Sequence, residues 1–303
     1  MLPALALSFA LLAVNPGPCA APTTSPAVDI RNAVGNDVGN DVRNHQPNPH
    51  SNSAAESSSG EDSAAENELL EWANKSRTLA GVPPLRMEES LREAARAHAR
   101  RMVQSGQLEH QLSGELSLLE RIADVSPLKM DRAGENIAHA TCAPGANDVL
   151  MRSAPHRENL LDRGFNVAGV AAIWSKGRLY VVEDFAHQVP SYTAEQSGQL
   201  VGRAIDEMRQ QAGLSELGQL TPSNLNEAAC SLARESRPNA HLLATAYNNR
   251  RIITYTQSQP EILPPGALRL LRDPGVRQFA VGACYARNAA YPTGTYWVAI
   301  LLY

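Results

Sequence analysis

Val167-Ala-Gly-Val-Ala-Ala-Ile-Trp-Ser-Lys-Gly-Arg-Leu-Tyr-Val-Val-Glu-Asp-Phe185 holds two β-rich runs, Val167–Trp174 and Leu179–Phe185, joined by Ser175-Lys176-Gly177-Arg178. Apolar runs on either side of a short polar connection that contains Gly predict an antiparallel hairpin. Everything upstream of it reads as helical. Leu69, Leu70, Ala73, Leu79 and Ala80 begin a helical pattern that Gly81 closes and Pro83-Pro84 blocks. A second helix is predicted from near Glu88 to Gln104, with Leu91, Ala94, Ala95, Ala99, Met102 and Val103 as its apolar stripe and Gly106 as its stop. A short helix from about Leu118 to Ile122, a turn at Gly134-Glu135-Asn136, a helix from about Asn147 to Arg152 and a turn at Ser153–His156 follow. Helices first and paired strands last predict an α+β arrangement in which helices cover an antiparallel sheet.

Before the first helix, residues 22–66 contain no Leu, Phe, Tyr or Trp and carry seven acidic against two basic residues, with the local repeat Val34-Gly-Asn-Asp-Val38-Gly-Asn-Asp-Val42. Such a segment buries too little apolar area to offset the entropy of ordering it, so a disordered linker is expected. Residues 1–21, apolar from Leu2 to Val14 and ending in Ala20-Ala21, read as a cleaved export signal, although the start lacks Lys and Arg. Cys19 lacks the bulky apolar residue three positions upstream that a lipoprotein signal uses, so release to the periplasm or medium is expected over lipid anchoring.

The 303 residues suffice for two domains. Lys plus Arg number 27 against 31 Asp plus Glu, and the pI is near 6.1, so the electrostatic footprint of a nucleic-acid binder is missing. A mean hydropathy of −0.28 with a single apolar run near the N-terminus excludes a polytopic membrane protein and leaves the mature chain without a transmembrane segment. Four Cys, in no CxxC arrangement, exclude a disulfide miniprotein and a structural zinc ribbon. No GxSxG elbow or glycine-rich phosphate loop occurs.

In order along the chain stand Asn74-xx-Arg77, Gly81-Val-Pro-Pro-Leu85, the Ala-rich helix with His98 and Met102, Glu109-His110 and Glu120-Arg121-Ile122. Gly134-Glu-Asn-Ile-Ala138, Ser153-Ala-Pro-His156-Arg-Glu-Asn-Leu-Leu161 and Ala168-Gly-Val-Ala171 complete the series. Over roughly residues 66–188 this series resembles the CAP superfamily of cysteine-rich secretory, antigen 5 and pathogenesis-related proteins, in its bacterial branch. The resemblance implies a secreted α-β-α sandwich, a CAP domain over residues 67–190, with a central cleft.

It also implies that His110, Glu135 and His156 converge in that cleft, with Asp148 standing in for a family Glu that this chain lacks. Neutral imidazoles and a carboxylate are a suitable donor set for zinc, with His110 and His156 as ligands, and equally a general acid/base set. Taken singly, His110 is a loop residue after a Gly-terminated helix, Glu135 suits a helix cap, and His156 suits a capping turn. His98 reads as a core histidine hydrogen-bonded to backbone, and Ser153 as a turn or N-cap residue.

Leu225-Asn-Glu-Ala-Ala-Cys-Ser-Leu-Ala233 repeats five of nine residues of Leu91-Arg-Glu-Ala-Ala-Arg-Ala-His-Ala99, and Val281-Gly-Ala-Cys284 echoes Ala168-Gly-Val-Ala171. Residues 195–303 are therefore expected to form a second, shortened CAP-like α+β domain. It lacks the polar motifs, and Leu232 stands in the place of His98. Cys230, on a helix, and Cys284, on a strand, are the pair expected to form a disulfide, closing a loop that contributes about 3 to 4 kcal/mol in the chain-entropy account. Cys142 is expected to be left over. Ten Arg and no Lys against eight acidic residues give this half a mild positive balance, with Arg250-Arg251 its one basic doublet. The apolar run Tyr296–Tyr303 is expected to be a central strand.

Two functions follow as expectations. The favoured one is a non-enzymatic exported module that binds a protein, glycan or lipid, with no required cofactor. The other is a metal-assisted hydrolase of a peptide, polysaccharide or lipid ester, with His110, His156 and Glu135 holding zinc or activating water.

Overall fold

Asp62 sets the start of the first helix. After a two-residue strand, β1 (Gly60–Glu61), its carboxylate accepts from the backbone N–H groups of Ala64 and Ala65 and so caps α1 (Ser63–Leu79). The computed structural model describes residues 60–221, 224–244, 246–247 and 251–303; the export-signal segment 1–21, most of the linker and Arg250 lie outside them. The linker expected over 22–66 thus ends earlier, because Glu66 is already a buried helical residue, 3.2 Å from Arg92 and 2.7 Å from Arg96. The apolar count that marked residues 22–66 as unstructured does not register a cap or a buried ion pair.

β2 (Arg86–Met87) leads into α2 (Glu89–Ser105), whose buried stripe is the expected one and which stops at Gly106 in the left-handed region, φ 70°. α3 (Leu118–Val125), β3 (Met130–Ala140), α4 (Ala143–Arg152), α5 (Ala154–Leu160), β4 (Val167–Ser175) and β5 (Arg178–Gln188) complete the first domain. The β4–β5 hairpin forms as expected, with Lys176 and Gly177 both at positive φ in its two-residue turn.

The predicted Gly134-Glu135-Asn136 turn is instead the middle of β3, opposite Phe185, Asp184 and Glu183 of β5. Local turn chemistry loses there to pairing with the buried strand β5. The Ser153–His156 turn likewise becomes the start of α5, with Ser153 at the junction of two helices.

The sheet runs β1-β4-β5-β3, with β2 parallel to β4 along the same edge as β1. α2 and α3 cover one face through Leu91, Ala95, Ala99, Met102 and Ile122. α1 and α4 cover the other through Leu69, Ala146 and Leu150. The α2 backbone lies so close to β4 that a Cβ on Gly169 would sit 2.1 Å from the Leu91 carbonyl carbon. Arg77, fully buried at the end of α1, donates from Nε to Pro83 O and from Nη1 to Leu160 O, which ties α1 to the end of α5.

The second half comprises α6 (Ala194–Gln211), β6 (Gly218–Leu220), α7 (Leu225–Arg234), α8 (His241–Ala244), β7 (Arg251–Gln257), α9 (Ala267–Leu271), β8 (Gln278–Asn288) and β9 (Tyr291–Leu302). Its sheet runs β6-β8-β9-β7, β6 parallel to β8 and the other pairs antiparallel, so β9 is central, as its apolar run predicts. α6 and α9 pack on one face and α7 and α8 on the other. Cys230 on α7 is bonded to Cys284 on β8, as expected. Among the described residues no cysteine is free, so Cys142 is not the leftover thiol that the sequence suggested.

Candidate functional site

β3 is the outer strand of the first sheet, and Glu135 on it faces the α2–α3 side, where its side chain is almost fully buried. One of its oxygens takes a 2.8 Å hydrogen bond from His110 Nδ1, on the loop after α2. The other is paired with the Arg121 guanidinium of α3 and lies 3.8 Å from His98 Nε2 of α2. Arg121 also donates to His110 O at 2.8 Å, so a single side chain holds both the carboxylate and the loop that approaches it. His98 Nδ1 is bonded to Glu115 at 2.9 Å, and Glu115 in turn accepts from Leu112 N at 3.0 Å, which fixes the loop from its other end.

His156 approaches this cluster from the opposite face of the sheet, on α5. Its ring centroid lies 6.5 Å from that of His110. Asn136, next to Glu135 and facing the other way, donates to His156 O at 3.1 Å and to Glu183 at 3.2 Å, while Asn159 donates to Glu135 O and to Asn136 Oδ1. The Gly-Glu-Asn motif thus puts its carboxylate on one side of the edge strand and its amide on the other, and the two histidines meet around that edge.

Three of the four residues expected in the cleft are brought together: His110, Glu135 and His156. Asp148 is not. Its side chain is 68 % exposed on the outer face of α4 and pairs with Arg152 one turn on at 3.6 Å. Helical phase explains the miss, since Asn147 and Val149, on either side of Asp148, are buried and Asp148 points away.

Electrostatics separate the two carboxyls that oppose each other in the ladder. Burial works to raise the Glu135 pKa, but the His110 hydrogen bond and the charges of Arg121 and His98 outweigh it and hold the group below its ordinary value. Burial, with the Glu135 charge beside it, pushes Asp184 well above the ordinary Asp value. Glu183, behind the sheet, is pushed up to about 7 by burial, against the Asn136 hydrogen bond.

Glu135 and Asp184 themselves do not suit a metal ion as ligands. Both Glu135 oxygens are already committed, one to a guanidinium whose positive charge opposes a cation, and Asp184 favours its neutral form. Among the described residues no three His, Cys, Asp or Glu side chains converge in a metal-holding group.

Residues 70–185 match the model of the cysteine-rich secretory protein family, CAP. These residues form a CAP domain. In Bacillus subtilis (strain 168) the uncharacterized protein YkwD is 31 % identical over 116 residues, which are 37 % of this chain and 44 % of the relative. The chain therefore spans less than half the length of that curated relative. Among solved structures, an extracellular protein containing an SCP domain from Bacillus anthracis str. Ames is 22 % identical over 41 % of each chain, with a TM-score of 0.37. An outer surface protein from Borrelia burgdorferi is 14 % identical over 44 % of this chain and 100 % of its own, with a TM-score of 0.40.

The sequence reading missed the part that five polar residues of the CAP domain play around Glu135: Arg121, Glu115, His98, Glu183 and Asp184. His98 is buried, as expected, but its partner is a carboxylate rather than backbone. The signal for Glu183 and Asp184 was present: a charged dipeptide in the apolar run Leu179–Phe185 puts one carboxyl on each face of a strand that is covered on both sides. Arg121 carried a fainter signal, a basic residue beside Ile122 on a short amphipathic helix.

Proposed function

We propose that this protein is an exported binding module whose recognition surface is the CAP cleft framed by His110, Glu135 and His156. The ligand is a protein, glycan or lipid met in the periplasm or outside the cell. The observation that carries this reading is the commitment of both Glu135 oxygens, to His110 and to Arg121. A carboxylate held in that way is a fixed part of a wall; it is not poised to activate water or to take a cation. The Cys230–Cys284 disulfide supports an oxidising compartment. In the zinc-hydrolase alternative, Glu135 would have to give up His110 or Arg121 before it could bind the ion or take a proton from water.

Residues 195–303 are, in this reading, a degenerate second CAP-like copy. Strand order and strand senses repeat those of the first sheet. Gly282 repeats Gly169, since a Cβ there would lie 2.2 Å from Leu225 O of α7. Arg209 repeats Arg77, donating from Nε to Ser215 O and from Nη1 to Leu271 O. The copy has no counterpart of the cleft cluster, since Leu232 occupies the place of His98.

The experiment is calorimetric titration of Zn²⁺ into the wild type and a His110→Ala/His156→Ala variant, run beside co-sedimentation of both with peptidoglycan sacculi and phospholipid vesicles. The expected result is no stoichiometric zinc binding and co-sedimentation that the double variant loses. One equivalent of zinc bound by the wild type and lost in the variant, or hydrolysis of ester or peptidoglycan substrates that Glu135→Gln abolishes, would overturn the reading.

A further inference from the structure

Arg287, near the end of β8, reaches out of the second domain and spends its guanidinium on the first: Nη1 donates to Ala123 O at 2.7 Å and Nη2 to Ser126 O at 2.5 Å. Those carbonyls belong to the last turn and C-cap of α3, the place where a cation is favoured by the helix dipole. α3 has eight residues, too few to be stable by propensity, so its position depends on what holds it. Its N-terminus is held locally, by Ser117 N donating to Glu120. Its C-terminus is held by Arg287.

Two further contacts extend the clamp along the segment after α3. Lys129 Nζ lies 4.0 Å over the Tyr285 ring and 3.2 Å from Tyr296 Oη, and Ser258 Oγ donates to Asp131 at 3.2 Å. The same helix carries Arg121, which grips Glu135 and His110 O in the cleft. Only Ile122 separates Arg121 from the carbonyl that Arg287 holds.

We propose that the second domain positions the CAP cleft through α3, with Arg287 as the positioning residue and Arg121 as the group it positions. The inference rests on the cleft being the binding surface, and it gives the second copy a task although that copy has no polar cluster of its own. At the matching place in the first hairpin, five residues after Gly169 as Arg287 is five after Gly282, Trp174 donates to Asp62, the cap of α1. The same hairpin end therefore holds a helix terminus in each half, of its own domain in the first and of the neighbouring domain in the second.

The test needs no ligand, so its outcome is independent of whether the cleft binds one. In the full chain, Arg287→Ala is expected to speed amide hydrogen exchange at residues 121–126 about tenfold. It is also expected to move the His110 ring ¹H–¹⁵N signals toward their positions in an Arg121→Ala chain, while amides of Val170 and Val182 stay protected. Arg287→Lys should restore part of both effects, since one ammonium reaches one of the two carbonyls. Lys129→Met, expected to act in the same direction, serves if Arg287→Ala fails to fold. Unchanged α3 exchange and unchanged His110 signals in the folded Arg287→Ala or Lys129→Met chain would overturn the proposal.

Discussion

Glu135 and Asp184 stand directly opposite each other on β3 and β5, both buried, and their surroundings shift their pKa values in opposite directions. His110 and Arg121 lower the pKa of the first, and burial beside that charge raises the pKa of the second well above the ordinary Asp value. Like charges in one low-dielectric layer oppose each other, and the His110 hydrogen bond and the Arg121 guanidinium favour the charge on Glu135.

Removing Arg121 should therefore do more than break one contact. Arg121→Ala leaves Glu135 as a buried charge short of its main counterion, so it is expected to lower the unfolding free energy by about 3–5 kcal/mol, read by urea denaturation. Arg121→Lys should recover only part of that loss, because a point charge cannot serve His110 O and Glu135 together.

Glu183 gives a prediction with a definite pH window. Its pKa is raised to about 7 in the folded chain, so the native state binds a proton more tightly than the unfolded state does. Its contribution is neutral below the ordinary Glu value and increasingly destabilising as pH climbs from there to about 7. Glu183→Gln should remove that fall, raising stability at pH 8 relative to wild type by roughly 2–3 kcal/mol with little change at pH 4. Parallel stability–pH curves for the two chains would remove this role for Glu183.

The two close helix–strand crossings make a matched pair of predictions. Gly169→Ala would put a methyl group into the α2 backbone and Gly282→Ala into the α7 backbone, places where nothing flexible can yield. Each is expected to disrupt the domain that holds it, and differential scanning calorimetry should show one of two transitions lost or lowered in each variant.

Cys230→Ala/Cys284→Ala opens a 54-residue loop, and the expected loss in the second domain is about 4 kcal/mol, read by urea denaturation of the full chain. Little change would mean that native strain cancels the entropic gain.

Much of the fold was legible because it rests on period and punctuation. The β4–β5 hairpin, the α2 stripe ending at Gly106 and the apolar β9 run are local patterns, and the Cys230–Cys284 pair followed once α7 and β8 were recognised as echoes. The misses have two causes, partners far along the chain and the phase of a helix. Gly134-Glu135-Asn136 reads as a turn until Phe185, Asp184 and Glu183 are seen opposite it. Asp148 was read from its place in a motif, and the phase of α4 turns it to solvent. His110, Glu135 and His156 were legible only through the family resemblance, because their spacing of 25 and 21 residues has no local meaning.

The most direct test of the account is a ¹³C titration of the side-chain carboxyls of Glu135 and Asp184 in the full chain. Glu135 is predicted to titrate below the ordinary Glu value and to move up in Arg121→Ala, while Asp184 still carries its proton well above the ordinary Asp value. A Glu135 that stays protonated toward neutral pH and ignores the loss of Arg121 would contradict it, for the cleft would then hold a free acid where the account requires a fixed carboxylate.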